Sequence, residues 1–575
     1  MAITNAEIAR RFLELADLLE LEGANPFRVR AYRNGARIVA DHPERLDRIA
    51  RRDPEALKEL PGIGDDLAAK IVELALTGRL DLLARLGAAV PPGVAELMRV
   101  PGLGPRRARR LHETLSIGSV KQLERALRAG KVRDVPGFGE RTEAKLLEAI
   151  AARESEGERR MLRPSVVTLA EHMVAALARV PGVEACDVAG SFRRGRDTVG
   201  DLDLVAAAPD DAPVIDAFLA LPQVAQVVAS GGTKATVRMG NGLQVDLRVV
   251  SPESYGAALL YFTGSKTHNI ALRRRAQLRG LRLNEYGLRR GDAVIAAART
   301  EEDVYAAFDM PWIPPELRED AGEFDAAERG ALPRLVELSD IRGDVQTHTT
   351  DSDGRHDLET MASAADALGY EYLAVTDHTP AVRVTGGMDA AGFRKQAKRI
   401  DRLNATLKRL RVLKGAEVDI HADGSLDLPD DALAALDVVL VTFHSHFTLP
   451  AREQTRRLVR AVSHPRAMIF GHPTGRRIGH RPPAAYDLAT VAAACADHGV
   501  AMEIDGQPER MDMDELLARQ ALQAGVKLVI SSDAHATGEL AFMRWGVTQA
   551  RRGWAEARDV LNALPLNELL RTLAR

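Results

Sequence analysis

The sequence predicts a multidomain protein with an α-helical amino-terminal region, an α/β middle and a carboxyl-terminal (β/α) barrel. Three observations predict it. A Pro-Gly-x-Gly turn occurs three times, in LPGIG (60–64), VPGLG (100–104) and VPGFG (135–139), each followed by an amphipathic pattern such as DDLAAKIVEL or ERTEAKLLEAI. Two alternating segments, DLD at 201–203 and GLQVDLRVV at 242–250, carry acids at strand spacing. From residue 341 onward, apolar strands such as EYLAVT, DVVLVTF, RAMIFG, VAMEI and VKLVIS alternate with helical stretches, and each ends in polar residues. A chain of 575 residues has room for roughly four domains.

The bulk composition narrows the class. Hydrophobic residues make up 46% of the chain, yet no apolar run reaches the roughly 18 residues of a membrane span. The start, MAITNAEIARRF, lacks a basic-then-apolar leader, so no signal peptide is expected. Two cysteines, Cys186 and Cys495, cannot build a disulfide framework or a cysteine zinc site, which predicts a cytoplasmic protein. The net charge of −3 argues against nucleic acid only until it is divided. Residues 1–150 hold 26 Lys+Arg against 22 Asp+Glu, a balance of +4 that includes RRARR at 106–110.

The first element is the repeated turn. Gly62 and Gly64, Gly102 and Gly104, and Gly137 and Gly139 expose backbone N–H groups at helix N-termini, where a DNA phosphate can sit without any sequence being read. This arrangement resembles the helix-hairpin-helix motif, and three copies in matching hydrophobic context imply sequence-independent DNA binding.

The second element is GSFRRGRDTVGDLD (190–203). Asp201 and Asp203 share one strand face with Leu202 packed behind. In the later segment Gln244, Asp246 and Arg248 face away from Val245, Leu247 and Val249. Three acids on one surface repel each other, and divalent cations relieve that repulsion. Gly190 and Ser191 offer N–H groups to phosphate, and Arg193 and Arg194 add positive charge. The string resembles the nucleotidyltransferase superfamily signature, and its spacing is closer still to family X DNA polymerases of the DNA polymerase beta type. That resemblance implies a small lyase-like helical domain at 1–85, helix-hairpin-helix fingers at 86–160, a palm at 161–250 and a thumb at 251–318. It implies that Asp201 and Asp203 hold two Mg²⁺ ions and that Asp246 holds the catalytic one. Ser191 and Arg194 match positions that hold the incoming triphosphate. Tyr261, Phe262 and Gly264 of YFTGSKTHN match the sugar pocket, and Asn269 a contact to the incoming base. Val199 and Lys266 depart from the family pattern, which has a serine and an acid there, and Lys266 would bind the dNTP directly.

The same resemblance reaches NPFRVRAYRNGARIVA (25–40), similar to the segment that binds a 5′-phosphate, with Arg28 and Tyr32 at pocket positions and Phe27 in place of a histidine. Lys70 falls where lyases of the family place a Schiff-base lysine. Asp65 and Asp66, one turn away, oppose the depressed pKa such a nucleophile needs, so a solvated helix lysine remains the alternative.

After a charged linker at 319–340 come most of the fifteen histidines, six of them in QTHTTDSDG, TDH, FHSH, GHP and SDAH. Imidazole and carboxylate suit transition metals. The set, spread over 341–575, resembles the PHP phosphoesterase domain. That resemblance implies up to three Mn²⁺ or Zn²⁺ ions: His348, Glu417 and Asp533 on one, Glu417, His444 and His472 on a second, and Asp353, His378 and His535 on a third. His446 and Arg476 would face the substrate phosphate. Gln346 departs from the usual His-x-His opening. Together the resemblances cover essentially the whole chain. They imply a gap-filling polymerase of DNA repair with 3′→5′ exonuclease or 3′-end phosphoesterase activity, acting on gapped or nicked DNA with a 5′-phosphate and on dNTPs. Abasic-site endonuclease or lyase activity, no membrane association, a monomer and a nucleoid-associated location complete the expectation.

Overall fold

The three repeated turns share one hydrogen bond. In the computed structural model the N–H groups of Ile63, Leu103 and Phe138 each donate to the carbonyl three residues back, at 3.0 Å. The three side chains are buried. Gly64 and Gly104 then cap helices Asp65–Thr77 and Pro105–Leu115 from extended conformations. Among the described residues, a Cβ on Gly64, Gly104 or Gly139 would meet nothing within 4 Å, so these helix starts are open to an approaching ligand. The structure describes residues 3–573 apart from 4, 23, 43–44, 59, 61–62, 89–93, 95–96, 98–99, 101–102, 148–149, 151–159, 292 and 297, so Gly62 and Gly102 lie outside the described residues. Two helical cores result, one running from Ile3 to Leu86 and one from Val94 to Ile150. Among the described residues no helix is long and apolar enough to cross a membrane.

The α/β middle is a five-stranded mixed sheet in the order Ala185–Val188, Asp201–Ala207, Gln244–Val250, Lys234–Met239, Val224–Ser230. Alternation decides its faces: along Gln244–Val250 every second residue is buried, which points Val245, Leu247 and Val249 into the core. Helices Arg163–Leu177 and Ala212–Leu219 cover that side. The two acid-bearing strands are parallel neighbours, whereas their other pairings are antiparallel.

Residues 255–335 pack around a core that includes Leu260, Leu272, Tyr305 and Phe308. Its polar centre is Glu301, which takes paired hydrogen bonds from Arg318 (2.6 and 2.8 Å) and Arg193 (2.7 and 2.9 Å) and a fifth from Trp312 Nε1 (2.9 Å). Burial alone would raise the pKa of Glu301, but the two guanidiniums outweigh it and hold the carboxyl well below the usual range. The segment 319–340, charged enough to read as a linker, is folded. Glu323–Glu328 is helical, and Glu323 is buried with its carboxylate 2.7 Å from Nδ1 of His268, whose Nε2 lies 2.8 Å from the Tyr305 hydroxyl. Part of the charge that suggests solvent is taken up by partners far away in sequence, Glu323 by His268 and Asp325 by Arg45 and Arg48. The first helical region reaches this part too: Arg45 and Arg48 both pair with Asp325, and Arg274 donates to the His42 carbonyl.

The carboxyl-terminal region is a seven-stranded parallel sheet whose strands lie in chain order, from Gly343–Asp344 to Leu528–Ser531. The His348 N–H donates to the Ala534 carbonyl at 2.9 Å and Thr347 bridges Ala534, so the last strand meets the first and the barrel is nearly closed. The strands are buried on both faces, which explains their unbroken apolar runs. The barrel packs against the sheet domain: Trp545 and Met511 belong to the core that contains Leu202 and Val245.

Two candidate active sites

In the sheet domain, Asp203 and Asp246 are register partners on adjacent parallel strands, and Asp201 lies opposite Gln244. The three acids therefore meet at one end of the sheet, with Asp201 the most exposed. Burial, then Asp201 and Asp246, push the Asp203 carboxyl up to about 7. Asp246 is partly compensated: Thr236 Oγ1 donates to it at 2.5 Å, Gln244 Nε2 at 2.8 Å, and Lys234 Nζ stands 3.5 Å away. The balance at Asp203 still disfavours its charge, and a cation would reverse it.

The loop before the acids packs directly on them. The Ala189 N–H donates to the Asp203 carbonyl at 2.8 Å. Gly190 has φ +61°, and a Cβ there would lie 2.1 Å from Asp203 Oδ2, so only glycine allows this approach. Gly190–Arg193 forms a single helical turn with Ser191 half-buried. The two arginines are engaged: Arg193 holds Glu301 and Thr263, and Arg194 donates to the Thr263 carbonyl (2.5 Å) and faces Glu319 at 3.2 Å. Gly264, also at positive φ, abuts the Arg194 guanidinium, so the Gly-Ser loop and the YFTGS turn form one wall. Tyr261 and Phe262 meet edge to face at 5.2 Å, and Arg248 lies over Phe262. Asn269 Nδ2 holds the Tyr261 carbonyl at 2.7 Å while its buried Oδ1 has no partner among the described residues. Lys266 is exposed at the start of helix Lys266–Leu278, and Val199 is fully buried in the core.

In the first helical region, Tyr32 donates to Asp66 at 2.6 Å and Arg28 lies 4.0 Å from the same carboxylate. Lys70 Nζ is bonded to Glu73 at 2.6 Å. The acid paired with Lys70 is thus Glu73, at i+3, rather than Asp65 or Asp66.

In the barrel, three overlapping groups bring ligand-type atoms within 4.8 Å of one another: His348, Asp353, His378 and His535; His378, Glu417 and His444; and His348, Glu417 and Asp533. Glu417 is the hub, 3.3 Å from His348, 3.4 Å from His378, 3.3 Å from His444 and 2.8 Å from His472. The groups follow strand ends, where barrel sites collect. Buried ring nitrogens of His348, His378 and His472 lack hydrogen-bond partners among the described residues, the state in which imidazole lone pairs await a metal, so the donor set fits divalent ions. His472 and Asp533 adopt positive φ, as does the neighbouring loop residue His446, strain that clusters at functional sites.

Several residues here escaped sequence reasoning. Asp419 accepts from the His444 backbone at 2.9 Å and lies 3.1 Å from its Nδ1, fixing the ring. Its signal was available: EVD at 417–419 repeats the two-residue acid spacing of DLD on one strand face. EID at 503–505 does the same, and the buried Glu503 and Asp505 stand with the half-buried Arg510 beside Asp533, Arg510 lying 3.6 Å from Asp505 and 3.8 Å from Asp533. Gln346 is buried with its amide directed at Glu503, a carboxyl that burial holds well above its usual range. A carboxyl and an amide therefore meet where the resemblance expects a histidine. Arg476, expected to face substrate, instead bonds to Asp197 of the sheet domain at 2.9 Å and to the Arg510 carbonyl at 2.8 Å. His446 is exposed on its loop.

Family models match as a helix-hairpin-helix domain (residues 3–80), a SAM-like helix-hairpin-helix tandem (94–152), a DNA polymerase beta thumb (258–319) and a PHP domain (344–488). The DNA polymerase/3′-5′ exonuclease PolX of Bacillus subtilis is 36% identical over 572 residues, covering 99% of both chains. DNA polymerase lambda of Rattus norvegicus is 27% identical over 290 residues, 45% of this chain and 48% of that one. A probable phosphatase of Acetivibrio thermocellus is 29% identical over 206 residues, 34% of this chain and 80% of its own.

Proposed function

The chain belongs to the family of DNA polymerase/3′-5′ exonuclease PolX, and from that premise we propose that it is a DNA-directed DNA polymerase that fills short gaps during repair and cleans 3′ ends at its second centre. The observation that carries the reading is the in-register pair Asp203–Asp246 with Gly190 pressed against it.

Asp201, Asp203 and Asp246 would hold divalent ions, Mg²⁺ by the chemistry of an all-oxygen site, which supply charge stabilisation to the triphosphate and to the primer hydroxyl. The chain's own contributions are distinct. The Gly190–Ser191 N–H groups receive phosphate oxygens. The Tyr261–Phe262 wall selects a deoxyribose, and Asn269 fixes that wall through the Tyr261 carbonyl. Lys266 offers an exposed cation to the nucleotide. Substituting Lys266→Ala weakens dNTP binding measured without metal, and unchanged binding would discard that role. In the barrel, His348, Asp353, His378, Glu417, His444, His472, Asp533 and His535 would hold up to three Mn²⁺ or Zn²⁺ ions, which supply an activated water for hydrolysis at a DNA 3′ end. Asp419 orients His444, and the oxygens of Glu417 are shared among the groups.

The helix starts at Gly64, Gly104 and Gly139 would grip DNA phosphates on both sides of the gap, and Arg28 and Tyr32 a 5′-phosphate. Lyase chemistry at Lys70 requires the Lys70–Glu73 pair to open first. Borohydride trapping on an abasic-site strand that survives Lys70→Ala excludes that lysine.

The test is primer processing on a gapped duplex with Mn²⁺, with and without dNTPs. Asp203→Ala should lose extension alone and His348→Ala shortening alone. Absence of both activities in the wild type would refute the reading.

A further inference from the structure

The Gly190–Asp197 loop has two sides. One touches the acids; the other rests on the barrel. We infer that barrel helix Met543–Arg552 is a positioning element for this loop, with Arg552 and Gln549 as positioning residues for binding of the incoming nucleoside triphosphate. The inference rests on the proposed reading of the loop as a phosphate cradle.

Arg552 carries the argument. Its side chain is fully buried, with Nη1 donating to the Arg194 carbonyl at 2.5 Å and Nη2 donating to Glu515 at 2.5 Å. The same Nη1 lies 3.5 Å from Glu319, the carboxylate that takes Arg194 Nε at 3.2 Å. One barrel guanidinium thus fixes Arg194 twice, through its backbone and through the partner of its side chain. Next to it, Gly195 has φ +73°, and a Cβ there would lie 2.4 Å from Thr548 Cγ2 and 3.4 Å from Arg552 Cδ. The loop therefore sits on the helix in direct contact. Its end is held as well: Asp197 accepts from Gln549 Nε2 and from Arg476 Nη2. A third support is Arg163, whose guanidinium lies 5.0 Å from both the Phe192 and the Trp545 rings and donates to the Phe192 carbonyl at 3.1 Å.

The chemistry favours positioning over bulk stability. Burying a guanidinium costs desolvation that its ion pairs do little more than offset, so a buried pair is weak evidence for stabilisation. A loop that must present N–H groups to a triphosphate gains from being fixed before the ligand arrives. Arg552 has no hydrogen bond or ion pair to Asp201, Asp203 or Asp246, so its effect must travel through Arg194.

Single-nucleotide gap filling by the full chain tests this, comparing wild type, Arg552→Ala, Arg552→Lys and Gln549→Ala. KM for dNTP and kcat are measured together with dNTP-free 3′ shortening and the melting temperature. Arg552→Ala should raise KM about tenfold, the effect of removing one charge-assisted hydrogen bond, while kcat changes less and shortening is unchanged. Arg552→Lys, which keeps the charge but not both bonds, should fall between, and Gln549→Ala should show a smaller rise in KM. An active wild type with unchanged KM in Arg552→Ala overturns this inference alone. A wild type that incorporates nothing overturns the loop's assignment and this inference with it. Parallel loss of extension and shortening with a lower melting temperature in both Arg552→Ala and Gln549→Ala assigns the helix a purely structural role and also overturns it.

Discussion

The two acid centres solve one electrostatic problem in opposite ways. In the sheet domain three carboxylates face each other with Thr236, Gln244 and Lys234 as partial compensation, and Asp203 is pushed up to about 7. In the barrel the carboxylates are interleaved with imidazoles, and Glu417 alone has four histidines within 3.4 Å. The first arrangement is unfinished until a cation and its phosphates arrive, which suits a site whose metal enters with substrate. The second is nearly balanced in advance, which suits resident ions. Dilution by neutral ligands is what allows the barrel centre to be buried.

The comparison breaks most readily at its hubs. Asp203→Ala should lower extension by at least about 10³-fold and Glu417→Ala should do the same to 3′ shortening, because each removes several kcal/mol of charge stabilisation. Cross-effects, measured on one gapped substrate, would show that the centres are not separate. Next in size is the ion cluster behind the Gly-Ser loop. Glu301→Gln leaves the buried Arg318 and the half-buried Arg193 short of their anion and should cost about 3–5 kcal/mol, read by urea denaturation. The acid dependence has a definite sign. Glu301 titrates below its ordinary value of 4.5, so its contribution is complete above that pH and is lost as pH falls toward the lower folded value. The substitution should flatten the acid limb of the stability curve and leave the neutral region uniformly lower.

A smaller effect sharpens the contrast. Asp419→Asn, which weakens the support of His444, should reduce metal affinity or shortening by about 10–100-fold without touching extension. Chelation should lower the melting temperature of the full chain, with Mn²⁺ restoring it, and Glu417→Gln should blunt the response. The smallest change is in salt dependence. Removing one phosphate-binding helix start, for example through Gly104→Pro, should reduce the slope of log affinity against log salt by about 0.9 for each phosphate no longer held.

Much of this was legible because the determinants are local. The repeated turns depend on three-residue hydrogen bonds, and the acids on strand alternation. Glycine at 190 and 264 marks close approach, and the barrel strands announce themselves by length and apolarity. What was not legible lies between segments far apart in the chain. Arg476 looks like any cation near a phosphate site until Asp197, some 279 positions away, is placed beside it. Helix Glu323–Glu328 reads as solvent-facing charge until His268 is found against it. Asp419, by contrast, was readable from its spacing to Glu417, since alternation puts both on one face.

The placement of Trp545 within the sheet domain's core means that the covalent border and the physical border of the two enzymes do not coincide. A protease that cleaved the exposed Glu328–Ala331 stretch would cut the polypeptide without separating the machines. The nicked halves should elute from gel filtration as one particle and part only in denaturant. Neither half is then a free-standing module that could be shed or exchanged without leaving an apolar wound on the other.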